Sequence, residues 1–174
     1  MTVPVNFGFG AGLLLGFVAA AGKNVGYIWG DHQIPQQTIT ECVAAFLKNP
    51  DTVIKGARIS RAVSLWRKFI SKTYNKIARL LFGIKVIDTD SAPKIFPFNP
   101  LKKLSIKSTD WFIDPEIIIL LHRERIPVIE IPFELLQRQK GVSKVSATTI
   151  FQFLANLTAY RLKGTPLRPI YSVS

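Results

Sequence analysis

The sequence predicts an α/β fold in which helices flank a mostly parallel sheet. Apolar segments with strand character alternate along the chain with segments of helical periodicity. That order is typical of parallel sheets, in which each crossover carries a helix. A length of 174 residues, 48% of them hydrophobic and 20% charged, is enough for one domain with a sizeable core.

The first elements follow this alternation. A glycine-rich turn, Asn6–Gly12, precedes a helix predicted over Leu13–Ala21. A strand is predicted over Val25–Trp29, a helix from Pro35 to Asn49, and a short strand over Thr52–Ile54. A glycine turn before a helix can bind phosphate through backbone N–H groups, but it can equally let the helix pack closely on a sheet.

The second half continues with longer elements. Helical periodicity covers Ala62–Phe82, Asp110–Arg125 and Ser146–Lys163. Strand character appears at Lys85–Asp88, as a possible strand edge, and at Val128–Phe133. The remaining segments are predicted as irregular: a basic loop over Gln137–Lys144 and a proline-containing tail over Thr165–Ser174.

The charge distribution limits the kinds of partner to be expected. The 23 Lys and Arg against 11 Asp and Glu give a net charge of +12, which favours an anionic partner. Nine of these cations lie between Lys55 and Lys85, where there is no acid. The helix in this stretch suits an anionic membrane surface, or it is an ordinary surface helix with its apolar face on the core. A basic nucleic-acid binder is the weaker alternative: no recognised nucleic-acid motif is present and the chain as a whole is too apolar, so we expect no nucleic-acid partner.

Location is inferred from cysteine use and hydropathy. A single cysteine, Cys42, rules out an internal disulfide and suggests a reducing compartment. The most apolar run, Ala11–Ala21, is shorter than the about 20 residues that a spanning helix needs. We therefore expect a cytoplasmic protein that contacts a membrane only peripherally.

Asp31 is the first acidic residue of the chain, and it follows a predicted strand. Gln33 stands two residues later, and Pro35 begins the next element. An α/β protein binds ligands at the carboxyl ends of its strands, so Asp31 is a candidate for a metal or a phosphate-bearing ligand. The alternative is an Asp that caps a helix or stabilises a turn.

Seven segments, taken in order, resemble motifs of the family 2 glycosyltransferases of the GT-A fold. The similarity is greatest to polyprenyl-phosphate members of the dolichyl-phosphate mannose synthase type. The segments are Asn6–Gly12, Trp29–Gln33, Ile54–Arg58, Arg67–Ser71 with Asn75, Asp88–Phe96, Ile113–Glu116 and Arg138–Lys144. The resemblance implies an incomplete GT-A fold, with residues 1–164 forming the C-terminal portion of a catalytic domain and 165–174 a tail.

The chain departs from the family pattern at several positions. Trp29 stands where the Asp-x-Asp-x-Gln motif has its first Asp, and Phe9 stands where the glycine turn usually has Lys. Ala92-Pro93 replaces Gly-Phe. The family's first strands, which hold the nucleotide base and ribose, should precede Asn6. We therefore expect no sugar transfer by residues 1–174 alone, and transfer once an upstream segment is present.

The resemblance implies transfer of a sugar from a nucleotide-diphosphate sugar to a polyprenyl phosphate. Asp31 would bind Mg²⁺ or Mn²⁺, and the implied catalytic residues are Asp31, Gln33 and Arg58. The residues implied to bind the acceptor phosphate are Arg67, Ser71, Arg138 and Lys144. Asp114 and Glu116 are expected to be structural carboxylates at a helix start. The alternative function is a non-catalytic remnant or partner subunit that binds membrane or lipid phosphate.

Overall fold

The computed structural model describes residues 8–61, 65–136 and 147–164, except the side chains of 60–61, 65–70 and 147–153. These residues form four strands and six helices, most of which the sequence predicts. Their bounds, in chain order, are α1 Phe9–Ala19, β1 Asn24–Tyr27, α2 Gln36–Lys48, β2 Val53–Arg61, α3 Leu65–Phe82, β3 Lys94–Pro97, α4 Phe98–Lys103, α5 Ile113–Arg123, β4 Val128–Leu135 and α6 Ala147–Lys163.

The four strands form one sheet in the order β1-β3-β2-β4. Strand β3 is antiparallel to both of its neighbours, whereas β2 and β4 are parallel. Three of the four strands therefore run in the same direction, which confirms the α/β class. The carboxyl ends of β1, β2 and β4 consequently point to the same edge of the sheet, where ligands bind in open α/β sheets.

Helix α5 is the most deeply buried helix of the described part. Its isoleucines Ile117, Ile118 and Ile119 are at most 1% exposed, which explains why this stretch is a continuous apolar run. The core cluster around them includes Phe96 of β3 and Tyr160 of α6. Burial on all sides removes the amphipathic pattern that a surface helix would show.

The predicted strand edge at Lys85–Asp88 is wrong, because these residues form a loop between α3 and β3. Ile84 and Val86 are both buried, which gives the segment the alternation of a strand. Its backbone instead bonds to a side chain: the Ile87 N–H donates to Glu130 Oε2 at 2.6 Å. Helix α4 was not predicted from the sequence, and β2 extends to Arg61, well beyond the predicted Ile54.

The basic helix α3 contacts the core with much of its C-terminal half. Tyr74 and Ala78 are buried, and Ile77 and Leu81 pack against the core cluster. Leu80 is 76% exposed. The apolar face of this half thus follows the ordinary surface-helix alternative. The side chains of Trp66, Phe69 and Ile70, the Gln137–Lys144 loop and the tail lie outside the described residues.

Among the described residues, no helix combines the length and the hydropathy required to span a bilayer.

Candidate functional site

The turn after β1 carries Asp31 and is fixed to the end of β4. The Asp31 carboxylate accepts the backbone N–H of Gln33 at 3.3 Å, and His32 adopts a left-handed φ of 55°. Gln33 then bonds twice to Leu136: its side-chain amide donates to the Leu136 carbonyl at 3.1 Å, and its own carbonyl accepts the Leu136 N–H at 2.9 Å. These bonds hold the turn across the carboxyl edge of the sheet.

Trp29, two residues before Asp31, contacts Arg58 of β2. The Arg58 Cζ lies 5.0 Å from the centre of the indole ring, a distance at which a cation is attracted by an aromatic face. Arg58 also donates to both carboxylate oxygens of Asp88, from Nε at 2.5 Å and from Nη2 at 2.7 Å. The ion pair is bidentate and nearly buried, since the two side chains are 9% and 5% exposed.

The loop that supplies Asp88 is held from beneath by a buried lysine. Lys55 is fully buried, and its Nζ donates to the Ser91 hydroxyl at 2.8 Å, to Glu130 at 3.0 Å and to the Asp88 carbonyl. Burial and then the nearby charge of Lys94 lower the pKa of Lys55. The lysine therefore satisfies several buried acceptors at once and positions the loop that carries Asp88.

Helix α3 is joined to the same loop through Asn75. The Asn75 side-chain oxygen accepts the backbone N–H of Thr89 at 2.9 Å, and its amide donates to the Ser71 carbonyl at 3.1 Å. Asp90 follows in the loop and receives the Thr89 hydroxyl at 2.9 Å. Burial and then the Asp88 charge raise the pKa of Asp90 to about 6. The site therefore holds a carboxylate, Asp90, whose pKa is raised by its surroundings.

A second buried network lies between β1, β3 and α5. Asp114 accepts hydrogen bonds from the Tyr27 hydroxyl and from Lys94, whose side chain is fully buried. Burial and then the Asp114 charge raise the pKa of Tyr27 well above its usual value. Glu116 accepts the backbone N–H groups of Lys107 and Ser108 at 3.1 and 2.7 Å. Both acids therefore have partners within the fold, which supports the structural role expected from the sequence, although the partners themselves were not predicted.

Gly8 and Gly10, at the start of α1, lie against the backbone of Thr109 and Asp110. A Cβ at Gly10 would lie 2.5 Å from the Asp110 carbonyl oxygen, and Ala11 N–H donates to the Thr109 carbonyl at 3.0 Å. Gly8 has a φ of 97°, which favours glycine. Of the two explanations that the sequence left open, this contact favours close packing of the helix.

The predicted site residues are only partly brought together. Asp31, Gln33 and Arg58 lie at one edge of the sheet, linked by the contact between Trp29 and Arg58. Ser71 lies on α3 and reaches this region through the bond from its carbonyl to Asn75. Three predicted phosphate-binding side chains fall outside the described part of the structure: Arg67, Arg138 and Lys144.

Sequence reasoning missed the roles of Lys55 and Lys94. Each is a lysine inside an apolar strand segment, Thr52-Val53-Ile54-Lys55 in one case and Lys94-Ile95-Phe96 in the other. A lysine at such a position is seldom buried unless it is paired. That pattern, together with the acids at Glu130 and Asp114, was the available signal for two buried ion pairs.

Comparison with known proteins gives related enzymes at low identity. No protein-family model matches the chain. A curated relative, the polyprenol monophosphomannose synthase of Mycolicibacterium smegmatis, is 23% identical over 103 residues, which cover 57% of this chain. The match covers only 39% of that synthase.

Solved structures match over nearly the whole chain. A glucosyl-3-phosphoglycerate synthase from Mycobacterium tuberculosis, in complex with uridine-diphosphate, has a TM-score of 0.66 at 19% identity over 94% of this chain. A complex of that synthase with Mn²⁺, uridine-diphosphate and phosphoglyceric acid has a TM-score of 0.69 at 15% identity over 92% of this chain. The matches span 58% and 56% of those chains.

These likenesses confirm the predicted fold class. The described residues have a partial GT-A glycosyltransferase fold, and the chain spans little more than half the length of the solved proteins it matches. The resemblance to family 2 glycosyltransferases is supported by the curated relative and by the solved structures together. At these identities the likeness to the solved structures shows the fold alone.

Proposed function

We propose that this chain forms the acceptor-side portion of a glycosyltransferase that uses a nucleotide-diphosphate sugar. The observation that carries the proposal is the turn at Asp31, which lies at the carboxyl edge of the sheet and is bonded to the end of β4. The described fold is that of glycosyltransferases whose structures hold uridine-diphosphate. The donor diphosphate would bind at this edge, beside Asp31 and Gln33.

The oxygen donors at the turn suit the predicted Mg²⁺ or Mn²⁺. Asp31 offers a carboxylate, and Gln33 keeps an amide oxygen while its amide nitrogen is bonded to Leu136. Magnesium is commonly held by one or two carboxylates together with substrate phosphates. Related structures contain Mn²⁺ or Mg²⁺ with uridine-diphosphate. A bound ion would offset the charge that develops on the leaving diphosphate.

In this proposal Arg58 positions the loop that carries Asp88. Its bonds to Asp88 use two of the five N–H groups of a guanidinium, and its face is covered by Trp29. The pair fixes the Asp88–Ser91 loop at the edge where the sugar would be transferred. We assign the remaining N–H groups of Arg58 to an oxygen of the sugar donor or of the acceptor substrate.

The acceptor that we propose carries a phosphate, and polyprenyl phosphate is the specific version. A phosphate is already ionised at neutral pH, so transfer to it needs cationic positioning rather than a general base. The predicted cations are Arg67, Arg138 and Lys144, with Ser71 as a hydroxyl donor. The relative from M. smegmatis is named for a polyprenol product, whereas solved neighbours are named for a phosphoglycerate product. Both acceptor types carry a phosphate group that cationic side chains could bind.

A membrane-peripheral, cytoplasmic location belongs to the lipid version of this proposal. The net charge of +12 supports attraction to an anionic surface. On α3, Lys72, Lys76, Arg79 and Leu80 are exposed, so cations and one large apolar side chain are available there. A water-soluble phosphate acceptor would not require this surface.

Vesicle sedimentation tests whether the chain recognises polyprenyl phosphate itself or is only attracted to negative charge. We expect the chain to bind vesicles of phosphatidylcholine with polyprenyl phosphate more tightly than vesicles with equal charge from phosphatidylglycerol. Charge reversal by Lys76→Glu with Arg79→Glu should weaken binding to both, whereas Lys48→Glu on α2, also exposed, should have a smaller effect. Equal binding to both vesicle types would overturn the specific lipid and leave only charge attraction.

A non-catalytic lipid-phosphate-binding protein is the second candidate. Trp29 favours it, because an indole cannot replace a metal-binding carboxylate. Sugar transfer assayed with residues 1–174 distinguishes the candidates. We expect no turnover by this chain alone and turnover when a nucleotide-binding segment of a related synthase is fused upstream. Failure of every such fusion to transfer sugar, despite binding the donor, would favour the non-catalytic function.

A further inference from the structure

Helix α1 is apolar along its whole length and yet lies partly at the surface. All of its residues from Phe9 to Ala19 are apolar or glycine. Gly10 and Phe17 are buried, whereas Val18 is 84% exposed and Ala19 is exposed as well. An apolar stretch of this length is too short to span a bilayer, and it is typical either of a buried core helix or of an interfacial helix. The exposure of Val18 excludes a fully buried core helix.

An apolar groove of about 400 Å³ lies between α1 and α4. Leu14 and Val18 line it from α1, and Phe98 and Leu101 line it from α4. Among the described residues that line it, Lys102 is charged and the others are apolar. The Lys102 Nζ lies 4.3 Å from the centre of the Phe98 ring, so the ammonium group stands over apolar surface. We call the surface formed by these five residues the α1–α4 face.

Lysines lie beside the α1–α4 face, and the segments that build it contain no acid. Lys102 and Lys103 are both exposed at the end of α4. Lys23 is also exposed, and its carbonyl accepts the first N–H of α4 at 3.0 Å, which holds it next to that helix. The segments 9–23 and 98–107 together contain four lysines and no Asp or Glu. The surface therefore combines exposed apolar side chains with positive charge.

Glu116 and Asp110 contact these segments but do not face the groove. Glu116 accepts the backbone N–H groups of Lys107 and Ser108, and it is fully buried. Asp110 lies against Gly10 in the first turn of α1, whereas the groove lies along the later turns of that helix. Neither carboxylate therefore offsets the lysines at the edge of the α1–α4 face.

We propose that the α1–α4 face rests on an anionic lipid bilayer, with Val18 at the level of the headgroups and the groove open to a lipid chain. An apolar helix surface edged by lysines is the pattern that binds an anionic membrane interface. A second copy of this chain fits less well, because it would bring the lysines of two such faces together. The inference goes beyond the proposed function, since neither the donor nor the acceptor requires this surface, and it concerns α1 and α4 rather than α3.

A fluorescent label at Val18 tests the contact in the full chain. Cys42 is 0% exposed, so a cysteine introduced at the surface can be labelled selectively with nitrobenzoxadiazole, whose emission shifts to the blue in an apolar medium. The chain is labelled as Val18→Cys and, for comparison, as Leu47→Cys on α2 and Leu80→Cys on α3. Leu47 and Leu80 are 74% and 76% exposed, so all three labels begin in water.

Vesicles of phosphatidylcholine with phosphatidylglycerol are then added. The label at Val18 should shift to the blue and be quenched by spin-labelled lipid, whereas the label at Leu47 should do neither. Vesicles of phosphatidylcholine alone should give a weaker response, because the lysines then lack an anionic surface. If Val18→Cys does not fold, as judged by thermal unfolding, Ala19→Cys takes its place, since Ala19 is also exposed.

Neutralisation of the lysines gives a second readout. Lys102→Gln with Lys103→Gln should weaken vesicle binding about 25-fold, since each lysine near an anionic surface contributes about fivefold. Lys48→Gln with Arg125→Gln removes the same charge from exposed positions elsewhere and should have a smaller effect. Equal weakening by the two double variants would contradict the contribution of α4 and leave only general charge attraction.

The remaining outcomes separate the other occupants of the α1–α4 face. An unchanged label at Val18 with a responding label at Leu80 would overturn this inference and leave α3 as the membrane contact. No response of either label would overturn both contacts. A response of the Val18 label to protein concentration without lipid would show a second copy on this face. A response to an added nucleotide-binding segment of a related synthase, but not to vesicles, would show that such a segment covers it. Either result would overturn the bilayer contact.

Discussion

Replacing Arg58 by methionine should destabilise the fold strongly, because it leaves the Asp88 carboxylate buried without its cation. The pair is bidentate at 2.5 and 2.7 Å, and the two side chains are 9% and 5% exposed. Removing one partner of a buried pair typically costs about 3–5 kcal/mol. Methionine keeps much of the side-chain length beneath Trp29, so the loss of packing adds little.

The size of the effect can be measured by urea unfolding. With a slope of about 2 kcal/mol per molar urea, a loss of about 4 kcal/mol lowers the midpoint by about 2 M. The double variant Arg58→Met with Asp88→Leu should recover most of the loss, because it removes both charges from the buried site. The resulting double-mutant cycle isolates the pair from the contact with Trp29.

A small effect would refute this reasoning. If Arg58→Met costs less than about 1 kcal/mol, the pair behaves as an exposed surface pair rather than a buried one. If the double variant is no more stable than Arg58→Met, the loss does not come from an uncompensated Asp88 charge. Lys72→Met on the exposed face of α3 is the matched control and should change stability by less than about 0.5 kcal/mol.

Three further predictions concern Asp90, Gly10 and Asn75. The pKa of Asp90 is about 6 in the fold against 3.8 unfolded, so its charge destabilises the fold above pH 6, and this penalty is relieved as the pH falls toward 4. Asp90→Asn should therefore be more stable than the wild type at pH 7.5 by up to about 3 kcal/mol. Paired urea titrations should show this difference shrinking near pH 4. Gly10→Ala should cost about 1–3 kcal/mol in thermal unfolding, because its Cβ would meet backbone atoms at 2.5 and 2.6 Å. Gly12→Ala should be neutral or stabilising, because its Cβ would meet nothing within 4 Å. Equal effects of the two substitutions would contradict the packing explanation. Asn75→Ala should lower the free energy of unfolding by about 1–3 kcal/mol, because the Thr89 N–H loses its acceptor in a buried site. Hydrogen exchange at Thr89 should accelerate, and unchanged exchange would argue against the link between α3 and the loop.

The sequence predicted the fold well where local pattern and tertiary packing agree. The alternation of helices and strands identified most elements, since glycine, proline and apolar periodicity mark their limits. It failed at Lys85–Asp88, where two buried side chains gave strand-like alternation while the backbone bonded to the Glu130 side chain. Such a bond joins residues 43 apart in sequence, so no local pattern reports it.

The site was predictable to a smaller extent. Asp31 and Arg58 were predicted as site residues because their motif segments stand in order along the chain, and both lie at the carboxyl edge of the sheet. The pairing of Arg58 with Asp88 and the burial of Lys55 were not found, because each depends on which strands become neighbours in the sheet. Likewise, Trp29 was recognised as a substitution, but its contact with Arg58 required the three-dimensional arrangement.

The placement of the donor diphosphate at the turn after β1 is tested most directly by calorimetric titration of uridine- and guanosine-diphosphate in the presence of Mn²⁺. We predict that one of them binds the wild-type chain and that Asp31→Asn removes this binding. Asp51→Asn is the matched control, because Asp51 is exposed and precedes β2, at the opposite edge of the sheet. Its binding should equal that of the wild type. Binding that survives Asp31→Asn unchanged would contradict the placement of the diphosphate at this turn.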